Sequence, residues 1–288
     1  MSALRILLRE SIDYAGLFPP AGLGMAQAVA NYESYRTSPH SWALGRFVVP
    51  ATRLEELDGV AGWRIAALLG ADPAAELKAI GEFNCRHAAA GAGAAVVDVV
   101  EAKAGTPEAA ERLLADVPPY LQAYVEIPVA GDPAPFARAV AGRGGRLKVR
   151  TGGITAEAFP ATADLVRFIR EARRAEVPFK ATAGLHHPLR AEYRLTYEPG
   201  SACGTMFGFL NLFLATAFIA GGLGDADAER LLEERDPAAV RFDPAGVEWR
   251  GRRLELDALG RARESGIVSF GSCSFTEPIG DLQSLGLL

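Results

Sequence analysis

The feature that most constrains the fold of this chain is a regular alternation of short apolar segments with helical segments. Eight segments have the length, apolar content and bounding turn residues of buried strands. They are residues 11–15, 45–50, 64–70, 94–101 and 123–129, the two segments that contain Lys148 and Lys180, and residues 266–274. Apolar strands that alternate with helices predict a parallel sheet covered on both faces. Eight of them favour an α/β fold closed into a (β/α)8 TIM barrel.

The chain is predicted to be one domain, residues 1–288, with an insertion of about residues 190–265 before the last strand. A barrel of this class needs about 250 residues, and no linker rich in proline or serine divides the sequence. Within the insertion, residues 206–223 carry no charge and approach the roughly 20 residues of a membrane span. Asn211 and the Gly221-Gly222 pair favour a buried helix instead, without membrane contact.

Composition limits the classes of partner. The formal net charge of -5 argues against nucleic-acid binding, which requires a basic excess. The three cysteines are widely separated and have neither zinc nor disulfide spacing, which favours a cytoplasmic protein. The glycine turns match neither the dinucleotide nor the phosphate-loop spacing, so no cofactor is predicted. A small-molecule substrate is the expected partner; whether it is anionic, and whether the chain forms a homo-oligomer, stay open.

Charged residues interrupt the apolar strands at five positions, Asp98, Glu126, Lys148, Arg150 and Lys180. On the outer face of a barrel they would lie unpaired under helices, which is costly. We therefore expect them to point inward, near the C-terminal ends of the strands, where barrel enzymes carry their catalytic residues. A purely structural network of ion pairs is the alternative interpretation.

The two lysines predict amine chemistry. Lys148 and Arg150 share one face of a strand, and Lys180 lies on the next parallel strand. Nearby cations and desolvation lower the pKa of a lysine, which a nucleophilic amine requires. We expect Lys148 to be the nucleophile and Lys180 its electrostatic partner. Asp98 or Glu126 would then transfer protons, with Glu126 paired to Arg150.

Four motifs, in order along the chain, resemble deoxyribose-phosphate aldolase and related class I aldolases. They are VVDVV (96–100), VEIPV (125–129), KVRTG (148–152) and FKATAGLHH (179–187). In that family an aspartate on the fourth strand, a Schiff-base lysine on the sixth and a second lysine on the seventh form the site. The resemblance implies these roles for Asp98, Lys148 and Lys180, and it implies a lyase that acts on a small carbonyl compound.

The same resemblance extends to the substrate-binding turns. The segment FGSCS (270–274) is similar to the family's phosphate-binding turn. Arg150 replaces a small hydroxyl residue of the family, and His186 and His187 replace an aliphatic residue and an arginine. The substrate-binding residues expected at the rim are Arg150, Thr151, Gly152, Gly184, His186, Gly271 and Ser272.

Two other functions stay open from the sequence. His186 or His187 could bind a metal ion together with Asp13, Asp98 or Glu126, as in a metal-dependent barrel enzyme. A non-catalytic barrel that binds a small anion is the other alternative. Cys273 is a third candidate nucleophile, but no histidine lies near it in the sequence.

Overall fold

The structure, a computed structural model, describes residues 2–89, 91 and 93–288. Up to the insertion, strands alternate with α-helices as the sequence predicts, except that a 3-10 helix (Ala51–Leu57) connects β2 to β3. These elements are α1 (Ala3–Leu8), β1 (Ile12–Tyr14), α2 (Met25–Arg36), β2 (Leu44–Pro50), β3 (Arg64–Leu68), α3 (Pro73–Ala89), β4 (Val96–Lys103), α4 (Pro107–Asp116), β5 (Gln122–Glu126), α5 (Ala134–Ala141), β6 (Arg146–Arg150), α6 (Thr162–Arg174) and β7 (Phe179–Thr182). The predicted end of α3, Ala90, lies outside the described residues.

The segment between β7 and the last strand adds two short antiparallel sheets and three helices. Its elements are β8 (Ala191–Arg194), β9 (Cys203–Met206), α7 (Phe209–Ala220), α8 (Asp225–Leu232), β10 (Val240–Asp243), β11 (Gly246–Trp249), β12 (Arg252–Glu255) and α9 (Leu256–Ser265). The chain then continues through β13 (Ile267–Ser272) and α10 (Thr276–Ser284). The hairpin of β11 and β12 is the one that the sequence predicts, with Arg250 and Gly251 at its turn.

Eight parallel strands close into a barrel in the order β1, β2, β3, β4, β5, β6, β7 and β13. This confirms the predicted (β/α)8 TIM barrel. The strand register sets Glu126 of β5 beside Lys148 of β6, and Lys148 beside Lys180 of β7. Three of the predicted inward charges therefore lie at one level of the barrel.

The barrel wall separates the core under the helices from the inside of the barrel, and β6 contributes side chains to both. Leu147 and Val149 are fully buried in the main core that the helices cover, whereas Lys148, between them in sequence, points to the opposite face. Inside the barrel, Val48, Ala66, Val99 and Tyr124 form a separate apolar cluster. This cluster lies beneath the charged residues and divides the C-terminal end of the barrel from the N-terminal end.

Helix α7 accounts for the uncharged stretch of residues 206–223. It is 12 residues long, and every side chain from Phe209 to Ile219 is buried. Phe209 stacks on Phe270 of β13 with ring centroids 5.0 Å apart, which anchors the helix to the barrel. Across residues 2–89, 91 and 93–288, no helix has both the length and the apolar character needed to cross a membrane.

Asn211 ties α7 to the segments on either side of it. Its side-chain oxygen accepts a hydrogen bond from the Arg190 backbone N–H at 2.8 Å, and its nitrogen donates to the carbonyls of Leu231 and Glu234 at 2.9 and 3.0 Å. The amide is buried, so no water can replace these partners. This polar residue in an apolar helix is a structural clamp.

Replacing Asn211 is therefore expected to destabilise the fold. Asn211→Leu keeps the size of the side chain but removes the partner of the Arg190 N–H and of the Glu234 carbonyl and one of the two donors to the Leu231 carbonyl, which should lower the free energy of unfolding by roughly 2–5 kcal/mol. Thr216→Val is the matched control on the same helix, because the Thr216 hydroxyl bonds only to the Leu212 carbonyl one turn earlier. Urea denaturation compares the two variants, and equal losses would contradict the clamp.

Candidate active site

A cavity of about 640 Å³ opens at the C-terminal ends of the barrel strands. Apolar residues such as Phe18, Pro20, Leu68, Ile154 and Met206 form much of its wall. The charged and reactive side chains that line it are Glu101, Lys103, Glu126, Lys148, Arg150, Lys180, His186 and Cys273. A concave, largely apolar pocket with a few convergent polar groups is the usual form of a small-molecule site.

Lys180 is a deeply buried charge, with 2% of its side chain exposed. Its Nζ donates hydrogen bonds to Asp13 Oδ2 and Glu101 Oε1, each at 2.5 Å. Burial favours the neutral amine, but the two carboxylates outweigh it and raise the pKa of Lys180 above its usual range. Lys180 is therefore a fixed ammonium group at the base of the cavity.

Asp13 is held in place for this contact by two further donors. The Ser269 hydroxyl donates to Oδ2 at 2.8 Å, and the Arg46 backbone N–H donates to Oδ1 at 2.8 Å. Asp13 lies behind Lys180 and contacts its ammonium group.

Lys148 of β6 lies between two carboxylates, Glu126 on the neighbouring strand β5 and Glu101 on β4, two strands away. Its Nζ is 2.7 Å from Glu101 Oε2 and 3.0 Å from Glu126 Oε2. The contact with Glu126 is a close ion pair without the alignment of a hydrogen bond, so Glu126 Oε2 is buried without an aligned donor among the described residues. Lys148 is thus held less rigidly than Lys180, and it faces the cavity.

Glu101 is the centre of the network, because each of its two oxygens contacts a different lysine. It is 3% exposed. Burial alone would raise its pKa, but Lys148 and Lys180 outweigh burial and lower the pKa to about 2. The resulting chain of alternating charges is Asp13, Lys180, Glu101, Lys148, Glu126 and Arg150.

This chain confirms that four predicted residues come together but corrects how they interact. Glu126, Lys148, Arg150 and Lys180 meet at one end of the barrel, as expected. The two amines do not crowd each other, since Glu101 separates them. Glu126 is shared, with its Oε1 3.4 Å from Arg150 Nε and its Oε2 beside Lys148. Unpaired cations are too costly in a buried site, and the cation crowding expected from the sequence is therefore wrong.

Asp98 does not belong to this site, and its predicted placement is wrong. Its carboxylate accepts two hydrogen bonds from Arg46, at 2.6 and 2.8 Å, and pairs with Arg64 at 3.1 Å. Both arginines lie near the starts of their strands. Asp98 therefore lines a second cavity, of about 330 Å³, at the N-terminal end of the barrel.

A strand irregularity explains the error. The pairing of β3 with β4 skips Asp98, because Ile65 pairs with Val97 and Ala66 pairs with Val99. Strand β4 also continues to Lys103, so Asp98 falls early in the strand. Glu101, which the sequence reasoning missed, falls late. The alternation of Val99, Glu101 and Lys103 indicates that these side chains share the inward face of β4. Recognising this pattern requires the correct end of the strand, Lys103.

The predicted substrate-binding residues divide into two groups. Arg150, Gly184, His186 and Gly271 line the cavity. The other three, Thr151, Gly152 and Ser272, do not line it, and their part in substrate binding stays a prediction.

The structure shows what these three residues do instead. The Thr151 hydroxyl donates to the Ala183 carbonyl at 2.7 Å. Gly152 packs against Phe159, whose ring a Cβ at this position would meet at 2.4 Å. Ser272 is buried in the pairing of β13 with β1. Thr151 also steadies the turn after β7, where Ala183 adopts a left-handed φ of 65°, a conformation that costs energy for a residue other than glycine.

The two histidines after β7 are held by carboxylates of α10. His186 Nδ1 is 3.1 Å from Glu277 Oε2, and His187 Nδ1 is 2.6 Å from Asp281 Oδ2. His187 also stacks on Tyr193 with ring centroids 3.6 Å apart. Among the described residues, no three His, Cys, Asp or Glu side chains are grouped so that they could hold a metal ion.

A cluster of titratable groups surrounds His186 at the rim. Cys273 Sγ lies 3.9 Å from its Nδ1, and the Tyr197 hydroxyl donates to Glu277 Oε2 at 2.9 Å. Burial lowers the pKa of His186, but contacts with Cys273 and Glu277 outweigh it and raise the pKa to about 9. Cys273 has no histidine near it in the sequence, but the fold brings His186, from the turn after β7, beside it.

Fold and site together define a (β/α)8 barrel with a lysine–carboxylate network at the floor of its cavity. No family model matches the chain, and no curated protein matches it significantly. The likeness to class I aldolases therefore rests on the residues described above.

Glu101 is expected to stabilise the fold in a pH-dependent way. Its pKa of about 2 lies below the ordinary value of about 4.3 for glutamate, so its contribution is present above about pH 4 and is lost as the pH falls toward 2. At pH 7, Glu101→Gln should lower the free energy of unfolding by roughly 3–5 kcal/mol.

Denaturant titrations of wild type and Glu101→Gln between neutral and acid pH check this expectation. The difference between the two proteins should narrow below about pH 4. Glu111→Gln, which changes an exposed glutamate of α4, is the control and should match the wild type. A Glu101→Gln difference that stayed constant down to pH 2 would contradict the ion-pair origin of the effect.

Proposed function

We propose that the protein is an aldolase-type lyase in which Lys148 forms a Schiff base with a small carbonyl substrate. The observation that carries the proposal is the buried Glu101, which bridges two lysines at the floor of an open cavity. A buried pair of lysines held by carboxylates at the C-terminal end of a barrel suits amine chemistry. The substrate must fit a cavity of about 640 Å³.

The contacts favour Lys148 over Lys180 as the nucleophile. Both hydrogen bonds of Lys180 are well aligned, and its raised pKa keeps it protonated. Lys148 has a neighbour, Glu126 Oε2, that lacks an aligned donor. Transfer of one proton from Lys148 to Glu126 gives a neutral amine and a carboxylic acid without changing the net charge of the site. Lys180 stays cationic and balances Glu101 and Asp13.

The chemistry then proceeds with the atoms in balance. The lone pair of the Lys148 amine attacks the carbonyl carbon, and the C=O π pair moves to oxygen, which takes a proton from Glu126. One N–H proton returns to the Glu126 carboxylate, which passes it to the hydroxyl of the carbinolamine; water then leaves, and the nitrogen lone pair forms the C=N bond of an iminium ion. The iminium cation lies where the ammonium ion was, between Glu101 and Glu126, so the carboxylates that hold the resting lysine also stabilise the intermediate.

The resemblance to deoxyribose-phosphate aldolase supports the same assignment. Lys148 on the sixth barrel strand and Lys180 on the seventh match the positions of that family's two lysines. Glu101, on the fourth strand, takes the role that the resemblance first suggested for Asp98. Arg150 and Lys103 at the rim suit a carboxylate or phosphate group on the substrate, which makes an anionic substrate part of the proposal.

A cytoplasmic location belongs to the same proposal. Cys85 and Cys203 are exposed and Cys273 is buried, and all three are free thiols. A reducing compartment suits such a set.

Borohydride reduction in the presence of acetaldehyde, acetone or pyruvate tests the Schiff base. The reduced adduct should map to the peptide that contains Lys148, and Lys148→Met should abolish it. Lys180→Met should weaken trapping without removing the acceptor amine. Lys78→Met is the control, because Lys78 lies on α3 with its side chain 79% exposed, and it should trap as the wild type does. An adduct on Lys180 would reverse the two roles, and no adduct with any compound would refute the lyase.

The two acidic residues of β4 are expected to differ sharply in the same assay. Glu101→Gln should reduce the rate of trapping by about 100-fold, the lower range for loss of a proton-transfer or charge-stabilising group. Asp98→Asn should stay within about twofold of the wild type, because it acts at the other end of the barrel and general acid–base effects require contact. If both variants lose trapping rate to a similar extent, the stability of the protein, and not the position of the carboxylate in the cavity, controls the rate.

A further inference from the structure

We propose that His186 is the acid–base residue that moves the proton of a hydroxyl group on the substrate, two carbons from the imine. The substrate class is then a β-hydroxy aldehyde or β-hydroxy ketone. This inference rests on the proposed Schiff-base function. It assigns to the cavity a second proton-transfer centre, distinct from Lys148 and Glu126.

The position of His186 along the barrel axis is the first support. Lys148 lies within β6, which ends at Arg150, whereas His186 lies beyond the end of β7 at Thr182. His186 therefore stands farther out along the barrel axis than the amine, and both residues line the same cavity. A substrate whose carbonyl carbon is bonded to Lys148 extends outward, past the level of Arg150, toward the imidazole ring.

The orientation of the ring is the second support. Glu277 Oε2 engages Nδ1 at 3.1 Å, and the Tyr197 hydroxyl holds the same carboxylate oxygen at 2.9 Å. This leaves Nε2 as the nitrogen available to a ligand in the cavity. A histidine whose Nδ1 is fixed by a carboxylate, with Nε2 directed at substrate, is a common arrangement for acid–base catalysis.

Titratable groups from several elements surround His186 among the described residues. Glu277 comes from α10, Cys273 follows β13, Tyr197 lies in the turn between β8 and β9, and His187 is adjacent, with its Nε2 3.9 Å from Glu277 Oε1. Burial opposes the charged ring, but Cys273 and Glu277 raise the pKa of His186 to about 9. At neutral pH His186 is therefore an imidazolium ion that can donate a proton.

His186 takes up this proton when the substrate is cleaved and gives it back when the carbon–carbon bond is formed. In cleavage, neutral Nε2 accepts the hydroxyl proton, the O–H pair forms the new C=O bond, and the C–C pair forms the C=C bond of an enamine. The iminium π pair moves to the Lys148 nitrogen. In carbon–carbon bond formation, the imidazolium returns the proton to the developing alkoxide. The cleavage rate should therefore rise with pH, reach half of its limiting value at about pH 9, where half of His186 is neutral, and level off above that pH.

The decisive comparison is His186→Gln against His187→Gln. His187 is the adjacent residue, of the same type, and Asp281 and Tyr193 hold it outside the cavity lining. His186→Gln should trap carbonyl compounds and exchange their α-hydrogens with deuterated water at wild-type rates. Its cleavage of β-hydroxy aldehydes and ketones should be about 100-fold slower. His187→Gln should behave as the wild type in all three assays.

The outcomes separate this inference from the proposed function. Normal trapping with normal cleavage in His186→Gln overturns the role of His186 and leaves the Schiff base intact. Equal losses of trapping and cleavage also overturn it, because His186 would then act on the imine. Failure of the wild type to trap any compound refutes the lyase and this inference together.

Glu277→Gln supplies a readout that a merely structural role would not produce. Glu277 helps to raise the pKa of His186, so its removal should move the rising limb of the cleavage rate to lower pH. Cleavage by His186→Ala should be restored in part by added imidazole, which can occupy the vacated space. The role of His186 is contradicted if Glu277→Gln leaves the pH dependence of cleavage unchanged. It is also contradicted if imidazole does not restore cleavage by a His186→Ala protein that still traps carbonyl compounds.

Discussion

The bridge between Glu101 and the two lysines is the interaction on which the rest of the site depends. Two buried ammonium groups are unstable unless each has a carboxylate partner. Glu101 satisfies both at once, with one oxygen 2.5 Å from Lys180 and the other 2.7 Å from Lys148. The bridge joins β4 to β6 and β7 across the inside of the barrel, and Asp13 adds β1 to the same network.

This network is stable because its charges alternate, and the same alternation limits its chemistry. Carboxylates that stabilise an ammonium ion oppose its deprotonation. The two lysines resolve this conflict by differing in their surroundings. Lys180 donates two aligned hydrogen bonds and stays charged, whereas Lys148 faces the cavity beside Glu126 Oε2, which has no aligned donor in the part of the chain that the structure describes. Proton transfer within the Lys148–Glu126 pair avoids the cost of changing the net charge of a buried site.

The outer part of the cavity depends on contacts between segments that are distant in the sequence. Tyr197 belongs to the inserted segment, Glu277 to the last helix, and His186 to the turn after β7. Helix α7 packs on β13 through Phe209 and Phe270, and Asn211 fastens the residues after β7 to it. The insertion thus supports the loop that carries His186 as well as lengthening the chain.

The sequence by itself determined the barrel and the inward direction of its charges, because apolar alternation and helix spacing are local properties. In β6, the residues on either side of Lys148 had to be buried under helices, so Lys148 had to point into the barrel. Local pattern could not decide between Asp98 and Glu101, since the irregular pairing of β3 with β4 sets which of them reaches the cavity. Nor could it show that Glu101 separates the lysines, or that Glu277 fixes His186. Those contacts join residues far apart in the chain, and only the closed barrel, with the insertion packed against it, brings them within hydrogen-bond distance.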